Sequence, residues 1–367
     1  MQTLLNQLVY FGFFQSVFLL IIYLFSAKNR KSINGYIAFL VFVLLIGLSG
    51  RILYLSDIFG PNPRLISFSE FSILLFGATV YLFTRSSLLG KRFSYVDLVH
   101  YIPGLCYILF IVFYFMLSTD EVLSARVKSG ELYRVVNIVV GFGLAFNITY
   151  WAMSLYEFLQ FRKQLLNELS YTIKTQFFFN FLIAIGSCLF VWTIIYLLNI
   201  SGYELLEIKA RPAIWLSIAF IILFIAFYSI NEPDLFRQKP MEVLQKYAQS
   251  KLSTVDLNRL KETLDNLMVA KKPYLNNKLL KAELAEMVGV SNPELARLLN
   301  ERIGMNFFEY INYYRIMEFI KLAQSEQGKS MTFFGLAQEV GFNSKTTFNK
   351  SFKKLMGVTP KQYLAKG

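Results

Sequence analysis

Toward the C-terminal end, Lys345, Asn349 and Lys353 recur at i, i+4 and i+8, with Thr346 and Lys350 beside them. On a helix this spacing gathers all five on one face. Ammonium groups suit phosphate oxygens, which position a protein on a duplex without specifying sequence, and Lys353 and Lys354 fit that use. An asparagine amide such as that of Asn349 matches adenine N6 and N7. Phe348, Phe352 and Leu355 fall at i, i+4 and i+7, so they are expected to point inward together. Upstream, Leu336, Ala337 and Val340 mark one face of a short helix, Gly341 supplies a left-handed exit, and Ser344 can cap the helix that follows. Two helices joined by such a turn, the second basic and amide-bearing outside, form a helix-turn-helix that reads a major groove.

Other chemistries have little to work with. The chain holds one histidine, His100, and two cysteines, Cys106 and Cys188, both inside apolar runs. A triad or a histidine metal centre cannot be assembled from this set, and no metal-ligand spacing occurs. The expectation is therefore no catalytic residue, no metal, no cofactor and no enzyme. His100 is read as an interfacial residue.

The pattern Ala337, Gly341-Phe342, Ser344, Phe348, Phe352-Lys353, Gly357, Thr359-Pro360 resembles that of AraC/XylS-type transcription regulators. The resemblance extends over 272–364 and implies two helix-turn-helix units in one chain. The first is expected around Leu280, Leu284 and Met287/Val288, a Gly289-Val290 turn, a Ser291 or Asn292 cap and Pro293 in the opening turn. Leu295, Leu298 and Leu299 would face inward there, with Glu294 and Arg297 outward. A helix over 307–324 carrying Arg315 would hold the two units apart. The resemblance implies base or phosphate roles for Asn292, Glu294 and Arg297 in the first unit, and for Lys345, Thr346, Thr347, Asn349 and Lys350 in the second. Arg297 has the donors for guanine O6 and N7. Phe319 departs from the small residue expected at its place in the family, and the family's usual sugar-binding domain is absent.

Charge and hydropathy partition the chain differently. Residues 271–367 carry 15 Lys+Arg against 8 Asp+Glu, net +7, which suits a phosphate-backbone partner. The apolar runs lie before residue 231, at about 4–25, 34–55, 65–84, 97–117, 134–156, 176–199 and 212–230. Each is near the ~20 residues that cross a bilayer as a helix. The first lacks the charged lead and small-residue site of a cleaved signal peptide. Lys28, Arg30 and Lys31 follow it, which places the N-terminus outside. The inner loops then hold nine cations (these three, Arg85, Lys91, Arg92, Arg162, Lys163 and Lys174) with the acids Glu157 and Glu168. The outer loops balance six of each sign, among them Arg64, Arg126, Asp57, Asp120 and Glu131.

Arg51 and Glu70 reach similar depth from the outer side and form a candidate intramembrane pair; a packing ion pair or a snorkelling Arg51 is the plainer use. Asn137, Asn147, Asn180 and Gln176 are expected to bond between helices. After Pro233, Ser253 or Thr254 can cap a helix to about Ala270. Its Leu257, Leu260, Leu264 and Leu267 form either a short coiled-coil seam between two chains or a stripe packed on the following domain.

The sequence thus predicts an all-α protein: a polytopic seven-helix transmembrane bundle (1–231), a cytoplasmic linker with a short coiled-coil candidate (232–271), and a soluble helical domain with two helix-turn-helix units (272–367). The expected function is a one-component transcription regulator in the inner membrane of a bacterium, its C-terminal domain in the cytoplasm. The expected partners are double-stranded DNA, the lipid bilayer, a second copy as homodimer, and a small-molecule or membrane signal of unknown identity. The alternative is a transporter or membrane enzyme with a regulatory DNA-binding tail.

Overall fold

A computed structural model describes residues 2–25, 34–55, 64, 69–91, 93–171, 175–231, 257–326 and 328–365. Among these, all regular structure is helical; one isolated antiparallel bridge, Leu169 to Leu280, is the exception. Lys28, Arg30, Lys31, Asp57, Arg92, Lys174, Pro233, Ser253 and Thr254, on which sequence readings rest, lie outside the described residues. The chain divides into two compact units. Residues 2–159 and 175–231 belong to the first, and 160–171 with 257–365 to the second.

The first unit contains α1 (Gln2–Phe25), α2 (Gly35–Leu55), α3 (Ile73–Leu89), α4 (Ile102–Ile111), α5 (Asp120–Lys128), most of α6 (Glu131–Glu168), α7 (Gln176–Ile200) and α8 (Glu204–Asn231). Among the described residues, six helical segments are long and apolar enough to cross a membrane: Gln7–Phe25, Gly35–Leu53, Tyr95–Met116, Glu131–Glu168, Gln176–Ile200 and Ile214–Asn231. The stretch expected at 65–84 folds instead as α3, a shorter apolar helix displaced toward the C-terminus. Outside Gly35–Leu53, no more than 28% of any of these spans is buried within the protein. Phe14, Phe18, Phe113 and Phe190 are each more than 60% exposed. So much apolar surface is unfavourable in water and neutral in hydrocarbon.

Polar side chains inside the unit tie helices together, as buried polar groups must. Asn147 donates to the carbonyls of Ile73 (2.8 Å) and Gly143 (2.7 Å). Asn199 donates to Asn137 (2.8 Å) and Asn180 to the Tyr228 hydroxyl (3.1 Å). Gln176 bonds Asn180 along its own helix. His100 Nδ1 pairs with the Tyr150 hydroxyl at 2.9 Å. The two cysteines are free. Arg85 is bound to Asp97, which also accepts from Tyr36 (2.9 Å). Arg64 pairs with Asp120 at 2.7 Å.

The second unit is built from α9 (Leu257–Ala270), α10 (Lys281–Val288), α11 (Asn292–Arg297, continued by a π-turn to Ile303), α12 (Phe307–Ala323), α13 (Phe333–Glu339), α14 (Lys345–Met356) and α15 (Pro360–Leu364). Two cores share α12. Phe307, Tyr310 and Ile311 at its start pack with Leu284, Leu295, Leu298 and Leu299. Ile316, Phe319 and Ile320 at its end pack with Leu336, Val340, Phe348 and Phe352. Phe319 is fully buried against Phe348, with ring centroids 4.7 Å apart, so this core is organised around a large side chain where the resemblance implied a small one. The leucine stripe of α9 joins the first core: Leu260, Leu264 and Met268 are buried there, with Leu257 and Leu267 along the edge. Of its two candidate uses, packing on its own domain already occupies the seam.

Between the two cores lies Arg315, 1% exposed. Its guanidinium donates to the carbonyls of Tyr274 (2.8 Å), Asn276 (2.7 Å) and Ser170 (2.6 Å), to Ser170 Oγ (3.1 Å) and to Asn312 Oδ1 (3.3 Å). Burial pushes its pKa down to about 9, so the group stays charged at neutral pH. A rigid planar fork with five N–H donors is the side chain that can satisfy such a set of acceptors at once.

Candidate nucleic-acid interface

The C-terminal helix pair begins where Thr332 Oγ1 accepts from the Gly335 N–H (3.0 Å) and caps α13. The chain leaves α13 through Gly341, whose φ is +96°. A Cβ there would meet the Tyr274 carbonyl oxygen at 2.6 Å and Arg315 Nε at 2.9 Å, so both conformation and space require glycine. Ser344 Oγ then accepts from the Thr347 N–H (3.4 Å) and starts α14. Phe348 and Phe352 face the core, and Leu355, expected with them, is 36% exposed at its margin. Leu355 lies in the last turn of α14, one residue before its end at Met356.

This arrangement leaves Lys345, Thr346, Asn349, Lys350 and Lys353 exposed on α14. Thr347 is 7% exposed and belongs to the inner side. A groove of about 370 Å³ runs beside the helix, lined by Phe333, Asn349, Lys350, Lys353, Thr359, Pro360 and Lys361. Lys350, Lys353 and Lys361 place three cations around it. Lys354 is bound to Glu309.

The preceding pair has the same build with a different surface. Gly289 closes α10 at φ +82°. Ser291 is the cap residue, and the Glu294 carboxylate accepts from its N–H and its hydroxyl, both at 2.8 Å. Glu294 is 8% exposed, so it lies inward where the sequence reading had it facing out. The S/T-x-x-E spacing of a capping box was the signal for this. Arg297 points outward and pairs with Glu301, one turn on, at 2.9 Å. Asn292 Nδ2 donates to Glu168 Oε2 (3.2 Å), and Lys281 donates to the other oxygen of Glu168 (2.6 Å). Neither Glu168 nor Ser170 stood out in the sequence as part of this domain; Glu168 ends α6 and Ser170 follows it, both between apolar runs.

Residues 284–366 match the family model of a helix-turn-helix domain. The C-terminal domain is an AraC/XylS-type helix-turn-helix domain. Its similarity to the curated relatives below covers about a quarter of the chain or less. An uncharacterized HTH-type transcriptional regulator of Staphylococcus aureus strain COL is 35% identical over 82 residues, 22% of this chain and 11% of the relative. Its counterpart in strain N315 matches equally. The transcriptional regulatory protein HptR of strain NCTC 8325 is 25% identical over 92 residues, 25% of this chain and 35% of the relative. The chain thus spans about a tenth of the length of the first of these relatives. No solved structure gives a significant match. The matched helix-turn-helix model and the HTH-type regulators among the relatives point to DNA binding in transcription regulation.

Proposed function

We propose that the chain is a membrane-embedded one-component transcription regulator. In this reading the first unit lies in the inner membrane of a bacterium as seven spans, with α3 as the short one, and senses a signal there. The AraC/XylS-type domain in the cytoplasm then grips a promoter with two helix-turn-helix units, α10–α11 and α13–α14. The observation that carries the proposal is one chain holding both an apolar unit with mostly uncovered spans and an exposed basic, amide-bearing helix in a matched DNA-binding fold.

Lys345, Lys350 and Lys353 are assigned to phosphates. Asn349, Thr346 and Arg297 are assigned to base edges, Arg297 once it leaves Glu301. Asn292 faces a phosphate or base only after it leaves Glu168. Glu294 and Thr347 act from within, by setting the start of each reading helix. Arg51 and Glu70, both half-buried in the apolar unit, are proposed as an ion pair beneath the outer surface. A homodimer would need a surface other than the α9 stripe.

A genome-wide footprint of the full chain tests the proposal. Discrete protected sites are expected, each lost in a Lys345→Ala/Lys350→Ala/Lys353→Ala variant that remains in the membrane fraction. Unchanged occupancy in that variant contradicts the assignment of α14.

A further inference from the structure

Residues 160–171 connect two apolar helices in the sequence, yet they belong to the compact unit of the helix-turn-helix domain. Ser170 and Leu169 are fully buried. The Ser170 N–H donates to the Leu279 carbonyl (3.3 Å), and Leu169 bridges Leu280 in antiparallel fashion. Two of the five bonds made by Arg315 end on Ser170. Against this anchor sits the Glu168 carboxylate, one oxygen on Lys281 Nζ and the other on Asn292 Nδ2.

A carboxylate and a phosphate accept from the same donors in the same way. We propose that Glu168 is a phosphate-mimicking clamp, holding Lys281 and Asn292 at the opening of α11 so that the domain binds duplex DNA tightly only when segment 160–171 lets go. The proposal rests on the DNA-binding reading of this domain. Three features support a clamp over a purely structural tie. The side chain of Lys281 is only 7% exposed, so while the clamp is closed its ammonium is withheld from any other anion. Asn292 Oδ1 is buried without a hydrogen-bond partner, which makes the closed form less than fully satisfied and easier to leave. The clamp residue ends α6, the same uninterrupted helix that contains a candidate span, so a signal received along 131–159 has a covalent route to Glu168. Release exposes one cation and one amide and removes one negative charge from the surface that meets DNA.

The test uses the full chain in lipid nanodiscs with Cys106→Ser and Cys188→Ser, carrying Leu169→Cys/Leu280→Cys. Bridged positions on antiparallel backbones lie within disulfide reach. The probe is a pool of random-sequence duplex oligonucleotides at low salt. The oxidised, locked form is expected to bind about ten-fold more weakly than the same sample after reduction, the shift expected when a binding-competent state is withdrawn. A Glu168→Gln variant, which needs no new bond, should bind more tightly than the parent. Its salt dependence should be steeper by about 0.9 in log–log slope, one added phosphate contact. Equal binding by locked and reduced forms, with the disulfide confirmed by mass, overturns the clamp while leaving the DNA-binding reading intact. Failure of the two cysteines to bridge overturns the pairing it is built on. Absence of duplex binding by every form, parent included, overturns the DNA-binding reading and the clamp together.

Discussion

In the proposed function, two residues carry the discrimination between bases. Asn349 is the exposed amide among the lysines of α14, and Arg297 is an exposed guanidinium of the first helix pair. Replacing either by alanine should reduce discrimination between the bound site and its single-base variants by roughly 1–3 kcal/mol. Competition binding against a set of substituted duplexes measures this; an equal loss on every duplex would reassign the residue to a phosphate. Gly341 is limited by both φ and space, so Gly341→Ala should lower the stability of the domain by more than the ~1 kcal/mol that the same change can add at a permissive site. Its Cβ would strike the Tyr274 carbonyl and the guanidinium that joins the two cores. Thermal unfolding of the variant decides it, and an unchanged midpoint would mean the loop simply shifts.

Elements account for how these residues are held. The α9 stripe closes the first core, so Leu264→Ala should cost about 2–5 kcal/mol, as for a fully buried leucine. A loss near zero, together with a change in oligomeric state, would favour a seam between chains. Helix α12 is tied at both ends by carboxylates. The hydrogen bond from Lys272 (2.6 Å) holds Glu318 below its ordinary value of 4.5, helped by Tyr274 and the nearby Lys321. Burial pushes Glu309 up, but the bonds from Lys354 and the Asn306 N–H bring it below 4.5. Each carboxylate binds its proton more weakly folded than unfolded. Their contribution is complete above the ordinary value and disappears as pH falls through the lowered one. The midpoint of unfolding should therefore drop as pH falls below about 4.5, and Glu318→Gln should flatten part of that drop.

The helices of this domain were legible in the sequence because each carries its own punctuation. Thr332, Ser344 and Thr359 cap, and Gly289, Gly341 and Gly357 exit. What escaped were two long-range contacts, Ser170 with Arg315 and Glu168 with Lys281. Each pair is more than a hundred residues apart in sequence, and no local periodicity marks a contact of that range. The displacement of α3 escaped for a related reason: hydropathy measures how greasy a stretch is, and the turn before Ile73 follows from packing.

On the scale of the whole molecule, one chain holds an apolar unit, whose spans leave Phe14, Phe18, Phe113 and Phe190 uncovered, and a domain with a net charge of +7 over 271–367 (15 Lys+Arg, 8 Asp+Glu). Each half explains the other only if both work at once, the first in lipid and the second on a duplex. Every phosphate neutralised releases counterions, so the binding should weaken steeply with salt. The direct measurement is a salt titration of duplex DNA binding by the full chain held in nanodiscs. The predicted result is tight binding at about 50 mM salt, with a log–log slope of roughly −3 or steeper, as Lys345, Lys350 and Lys353 each contribute near −0.9. No binding at low salt, or a slope near zero, would contradict a membrane-held reader of DNA.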